Sequence, residues 1–166
     1  MRLIAAALLL AGCATASRSA PHDQPLDDVL RAAAAGDADA IHDLCYRTKY
    51  GRKAAQDFAQ ALSWCTKGAQ LGVDSSQVLL AELYLRGEGV TADETVGQHW
   101  FEAAAEQGHR HAQLMLYLML RSREPQRAIG YLEQACADGY KPALAERDKL
   151  EAGVSKSMRA PAVGEL

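Results

Sequence analysis

The chain is 166 residues long with a net charge of −3, enough for one ordinary domain and too small for two sizeable ones. Alanine supplies 32 residues while glycine and proline together supply 18, a balance that favours helix and excludes collagenous and fully disordered classes. No Val/Ile/Thr/aromatic alternation recurs, which argues against a barrel or sandwich, and the acidic balance argues against nucleic acid as a partner.

In chain order, Met1-Arg2 gives a short cationic start and Leu3 to Ala11 an unbroken apolar run. The run is too short to span a bilayer and reads as the core of a signal peptide over residues 1–12. It ends in Leu10-Ala11-Gly12-Cys13, which resembles the lipobox of bacterial lipoproteins. That resemblance implies cleavage before Cys13, a thioether-linked lipid on its sulfur and acylation of the new amine. Ala14 stands where an aspartate resembles an inner-membrane retention signal, so the expected place is the outer membrane, facing the periplasm. The alternative is an ordinary secretory signal with a cysteine at that place. Residues 13–25, with Ser17, Arg18, Ser19, Pro21 and Pro25, show no periodicity and read as a flexible tether.

From residue 26 the chain repeats itself. Gly36, Gly72 and Gly108 are 36 residues apart, and Gly139 follows after 31. In register with them stand Ala40, Ser76, Ala112 and Ala143, then Leu44, Leu80 and Leu116. Upstream of the later glycines stand Ala61, Gly97 and Ala128, then Trp64, Trp100 and Tyr131, then Cys65, Phe101 and Leu132. Spacings of three and four place each set on one helical stripe. The small residues allow close approach of antiparallel helices, the aromatics plug between units, and each marker glycine ends a helix. Eight helices are predicted: 26–35, then pairs at 38–50 with 54–70, 75–86 with 92–107 and 110–121 with 125–137, and a last one at 142–150. Thr91 with Glu94 fits a capping box. Residues 151–166 show no stripe and read as a disordered tail.

The stretches Ser76 to Asp93 and Gly97 to Gly108 closely resemble the Sel-one-like repeat, a relative of the tetratricopeptide repeat. The resemblance covers about residues 26–150 and implies an all-α fold: an α/α solenoid of about three helix-turn-helix repeats with N- and C-terminal capping helices. It implies a scaffold that holds a protein or peptide partner. A second reading is an immunity protein or inhibitor that neutralises a secreted effector or hydrolase. A third is a β-lactamase-type enzyme, once proposed for cysteine-rich relatives with a cysteine pair eight residues apart in each unit. Cys136 would need its mate at Leu144.

No catalytic constellation appears in the residues. There is no Gly-x-Ser-x-Gly elbow, and Gly87-x-Gly89 belongs to the repeat turn. Asp27-Asp28 and Asp37-x-Asp39 fall in first turns of helices, where acids complement the dipole. His109-Arg110-His111 lacks an acid or thiol at ligand spacing and reads as a pair of solvated turn histidines. No enzyme activity, metal or cofactor is therefore expected.

In tetratricopeptide-like stacks the first helix of each unit lines the concave face. That stripe reads Asp39, His42, Tyr46, Lys49 and Tyr50 in unit one, Ser75, Val78, Glu82, Leu85 and Arg86 in unit two, and His111, Leu114, Leu118, Arg121 and Ser122 in unit three. Tyr46, Lys49, Tyr50, Glu82, Arg86 and Arg121 are the candidate partner-binding residues, tyrosine and arginine being common hot-spot types. Leu114 and Leu118 fit burial against the last helix equally well. Cys45 and Cys65 lie on facing sides of the paired helices of unit one. An oxidising envelope permits a bridge between them, with Cys136 unpaired, and two small buried thiols are the alternative.

Overall fold

A computed structural model describes residues 24–158. The described residues form eight helices and no strand: α1 (Leu26–Ala34), α2 (Ala38–Tyr50), α3 (Phe58–Gln70), α4 (Asp74–Arg86), α5 (Glu94–Glu106), α6 (Arg110–Leu120), α7 (Pro125–Ala137) and α8 (Lys141–Met158). Each helix packs on its neighbour in sequence, as the expected solenoid requires. None of the described helices is long and apolar enough to cross a membrane.

The repeat register appears directly in burial. Leu44, Leu80 and Leu116 are buried, as are Ala61 and Ala128, and Cys65, Phe101 and Leu132. Four apolar clusters run along the stack, and the aromatics join them. Trp64 packs on the first two clusters, Trp100 on the second and third, and Tyr131 on the third and fourth. Each outer helix thus sets an aromatic ring into the groove made by the unit before it.

Gly36, Gly72, Gly108 and Gly139 have positive φ, between 68° and 87°. The amide after each turns back to a carbonyl five residues earlier: Asp37 to Ala32, Val73 to Gly68, His109 to Ala104 and Tyr140 to Ala135. This left-handed cap satisfies the last carbonyls of a helix, and glycine enters it without a steric cost.

Three boundaries differ from the sequence expectation. Helix α3 starts at Phe58 rather than 54, because Asp57 accepts from the Gln60 amide while its own amide donates to the Thr48 carbonyl. Helix α5 is opened by Asp93, which accepts from the Val96 amide, not by a Thr91/Glu94 box. Asp93 also donates its amide to the Tyr84 carbonyl, so the two turns are built alike. Helix α8 runs on to Met158, through part of the segment expected to be a disordered tail. Residues 159–166 lie outside the described residues.

Candidate functional site

The inner helices α2, α4 and α6 carry the proposed groove stripe. Its centre is a polar ladder that crosses repeats. Lys49 on α2 pairs with Oε2 of Glu82 on α4. The Tyr50 hydroxyl donates to the same oxygen at 3.2 Å. On the other side, Nε2 of His111 on α6 lies 3.6 Å from Oε1 of Glu82. The Tyr140 hydroxyl, just before α8, stands 3.3 Å from Nδ1 of His111. Four successive units are thereby tied through one carboxylate and one imidazole.

Burial pushes the Glu82 carboxyl upward, but the hydrogen bonds and charges of His111 and Lys49 outweigh it and hold the group at about 2. The Tyr50 hydroxyl moves the other way, pushed up to about 12 by burial and by the charge of Glu82. Burial also lowers the His109 imidazole below its ordinary value, against the opposing charge of Asp74.

This geometry corrects the expectation for several stripe residues. Lys49 is only 1% exposed, so its charge is spent on Glu82 inside the protein. Glu82 in turn is mostly enclosed. Arg121 reaches Glu146 on α8 at 3.2 Å while its own side chain stays 54% exposed, so it links unit three to the C-terminal cap from the surface. Val78 and Leu114 are buried, the latter in the cluster that contains Ala143 of α8, while Leu118 remains 38% exposed. The histidines are not simply solvated. His109 caps α6, accepting from the Ala112 amide, and His111 is in the ladder. Cys13 lies outside the described residues.

What stays on the surface is narrower. Tyr46 and Tyr50, one turn apart on α2, have ring centroids 4.8 Å apart at a tilt of 58°. Tyr50 is exposed, and the Arg86 charge acts on its hydroxyl from the end of α4. Arg86 itself is 62% exposed, with Glu88 at 3.8 Å. Tyr46 is half-buried against the second apolar cluster, so the exposed Tyr50 ring and the Arg86 guanidinium are the accessible part of this patch, beside the Lys49–Glu82 pair. A separate recess of about 250 Å³ is lined by Asp74, Gly108, His109, Arg110, His111 and Tyr140. Among the described residues, no group of three or more His, Cys, Asp or Glu side chains could hold a metal.

Sequence reasoning missed a buried ion pair on α2. Asp43 and Arg47 on α2 meet at 2.7 Å, both almost wholly enclosed. An Arg47 Nη2 donates to the Gln24 carbonyl at 3.0 Å. The signal was available, since Asp43 and Arg47 occupy the register places of Leu79 and Leu83, which are buried. His42 and Ser76, 3.1 Å apart, make a further polar link between units one and two. Behind these groups a disulfide joins Cys45 of α2 to Cys65 of α3, with Cα atoms 4.8 Å apart. Cys136 is a free, half-buried thiol packed against the cluster of Leu114, Leu132 and Ala143.

Comparison with known proteins follows the same units. The Sel1 repeat pattern matches residues 38–73, 74–109 and 112–140. The chain is similar to a Sel1 repeat protein from Oxalobacter formigenes, at 26% identity and a TM-score of 0.67, over 70% of this chain and 92% of that one. It is also similar to c5321, a protective antigen of uropathogenic Escherichia coli strains displaying an SLR fold, at 28% identity and a TM-score of 0.67. That match covers 71% of this chain and 26% of the antigen. Among curated proteins, no sequence matches the chain. Repeats of this kind generally mediate protein–protein interaction and are typically non-catalytic.

Proposed function

Since the chain belongs to the Sel1 repeat family, we propose that it is a lipid-anchored scaffold of the bacterial envelope that holds a protein or peptide partner. The observation that carries the binding part is the Tyr46/Tyr50 ring pair beside exposed Arg86. Tyrosine and arginine on a preorganised base give large contact area at little entropic cost. An extended peptide laid along the inner helices meets rings first, then the guanidinium. The Leu10-Ala11-Gly12-Cys13 tetrapeptide supports the anchor, with Cys13 as the lipidated residue and the outer membrane, facing the periplasm, as its place.

The test uses the full chain as bait in detergent extracts of the envelope. Replacing Tyr46 and Arg86 together by Ala removes capture of the partner while helicity and melting temperature stay unchanged. Unaltered capture by the double variant sends the binding site elsewhere. Intact mass of the chain from its own host decides the anchor, an unmodified Cys13 thiol overturning it.

A further inference from the structure

Among the described residues the last groove of the stack differs from the earlier ones. Helix α5 sets Trp100 into the groove of α3 and α4, and α7 sets Tyr131 into the groove of α5 and α6. Helix α8 is the inner helix of a fourth unit, with Ala143 buried at the register place of Ala112. No outer helix covers it among the described residues. The groove between α7 and α8 is about 490 Å³ in volume and is lined by Ile129, Leu132, Glu133, Cys136, Ala137, Arg147, Leu150 and Glu151. Ile129 and Leu150 are 41% and 42% exposed there, although Leu150 holds the register place of fully buried Leu83.

The charges of this groove say what fits it. Arg147 stands where Leu44, Leu80 and Leu116 form the cores of the other units. Within its own helix it pairs with Asp148 at 3.1 Å and with Glu151 at 3.6 Å, both partners well exposed. Exposed pairs of this kind contribute little. Glu151 lies one turn beyond Arg147 on the same face, so the face is self-complementary. Two α8 helices laid antiparallel about a two-fold axis at residue 149 put each Arg147 opposite the other copy's Glu151. Ile129 and Leu150 line the same groove, so the pairing takes place beside exposed apolar surface. Such a pairing is isologous and ends after two copies.

We infer that the α7–α8 face is the docking surface for a second copy of this chain, with reciprocal Arg147–Glu151 pairs across the two-fold axis. The test co-expresses two full chains with different tags and captures one tag from detergent extract. Wild-type copies capture each other. Arg147→Glu in both copies, or Glu151→Arg in both, juxtaposes like charges twice and cuts co-capture at least about tenfold. Mixing an Arg147→Glu copy with a Glu151→Arg copy restores opposite charges at both contacts and restores co-capture. Circular dichroism of each variant confirms that its helices are intact. Failure of wild-type copies to capture each other, single variants that behave as wild type, or a mixed pair that stays apart each overturns the inference. A partner helix from another protein would give the first of these results.

Discussion

Lys49 and Glu82 form an ion pair between consecutive repeats in which the lysine is almost wholly enclosed while the carboxylate is 15% exposed. The asymmetry matters because the two partners do not lose equally when separated. Glu82 keeps His111 and the Tyr50 hydroxyl as neighbours, whereas Lys49 has its charge buried against one carboxylate and one phenol.

Glu82→Gln therefore strands a buried ammonium and destabilises the fold by roughly 3 kcal/mol. Lys49→Met leaves a carboxylate that still has partners and costs about 1 kcal/mol. The double variant Lys49→Met/Glu82→Leu recovers most of the loss, since an apolar pair of similar volume replaces the ions. Guanidinium midpoints of the three variants measure this. Equal losses from the two single changes would contradict the asymmetry.

The same site sets the pH limits of the fold. Glu82 sits at about 2 when folded, against an ordinary 4.5. Its contribution is present above pH 4.5 and is lost as the pH falls from there toward 2. Tyr50 sits at about 12 against an ordinary 10.0. A raised folded value favours the fold below pH 10, and that contribution disappears as the pH climbs to 12. A urea midpoint followed from pH 2 to pH 12 declines at both ends. Glu82→Gln flattens the acid limb, and Tyr50→Phe flattens the alkaline one.

Reducing the Cys45–Cys65 bridge frees a loop with a sequence separation of 20. Loop closure of that size corresponds to about 3 kcal/mol in the chain-entropy model. Cys45→Ala/Cys65→Ala should lower stability by that order even in oxidising buffer. Alkylation of unfolded, unreduced protein should label Cys136 and leave Cys45 and Cys65 untouched. Labelling of either would remove the bridge from the account.

Two glycines respond oppositely to a methyl group. Gly89 has φ +75°, and an added Cβ would stand 2.5 Å from the Phe58 carbonyl oxygen. Gly89→Ala should cost about 1–3 kcal/mol, because backbone strain and a backbone clash coincide. Gly130 lies inside α7 with no heavy atom within 4 Å of an added Cβ. Gly130→Ala should stabilise by up to about 1 kcal/mol through helix propensity. Thermal melts of both variants check the sign.

The stack was legible because each unit must bury the same places, so Leu44, Leu80 and Leu116 align whatever else varies. The polar ladder was not. Lys49, Glu82, His111 and Tyr140 follow their marker glycines by 13, 10, 3 and 1 residues. They step diagonally across the inner helices, and no column of the register contains them. The spacing put Tyr46, Tyr50 and Arg86 on the inner stripe, where Tyr50 and Arg86 are exposed and Tyr46 is half-buried. The enclosure of Lys49 could not be read, since only the position of Glu82 across the repeat interface makes burial of its charge tolerable. The Asp93 cap escaped for a local reason. Thr91 and Glu94 have capping-box spacing, but Asp93 lies closer to the helix start and takes the amide first.

The first repeat is put together differently from the second. Where unit two buries Leu79 and Leu83, unit one encloses Asp43 and Arg47, and it holds its two helices together with a covalent bond. Apolar packing is indifferent to the electron potential of the surroundings, whereas a disulfide is not. Adding a reductant therefore does not loosen the solenoid evenly. In a one-dimensional stack, where each unit contacts only its neighbours, the weakest link yields first. Reduced protein should exchange its amide hydrogens from α1, α2 and α3 while α5 to α7 stay protected. The N-terminal end, which carries Tyr46 and Tyr50, would then be ordered only where oxidising conditions keep the bond closed.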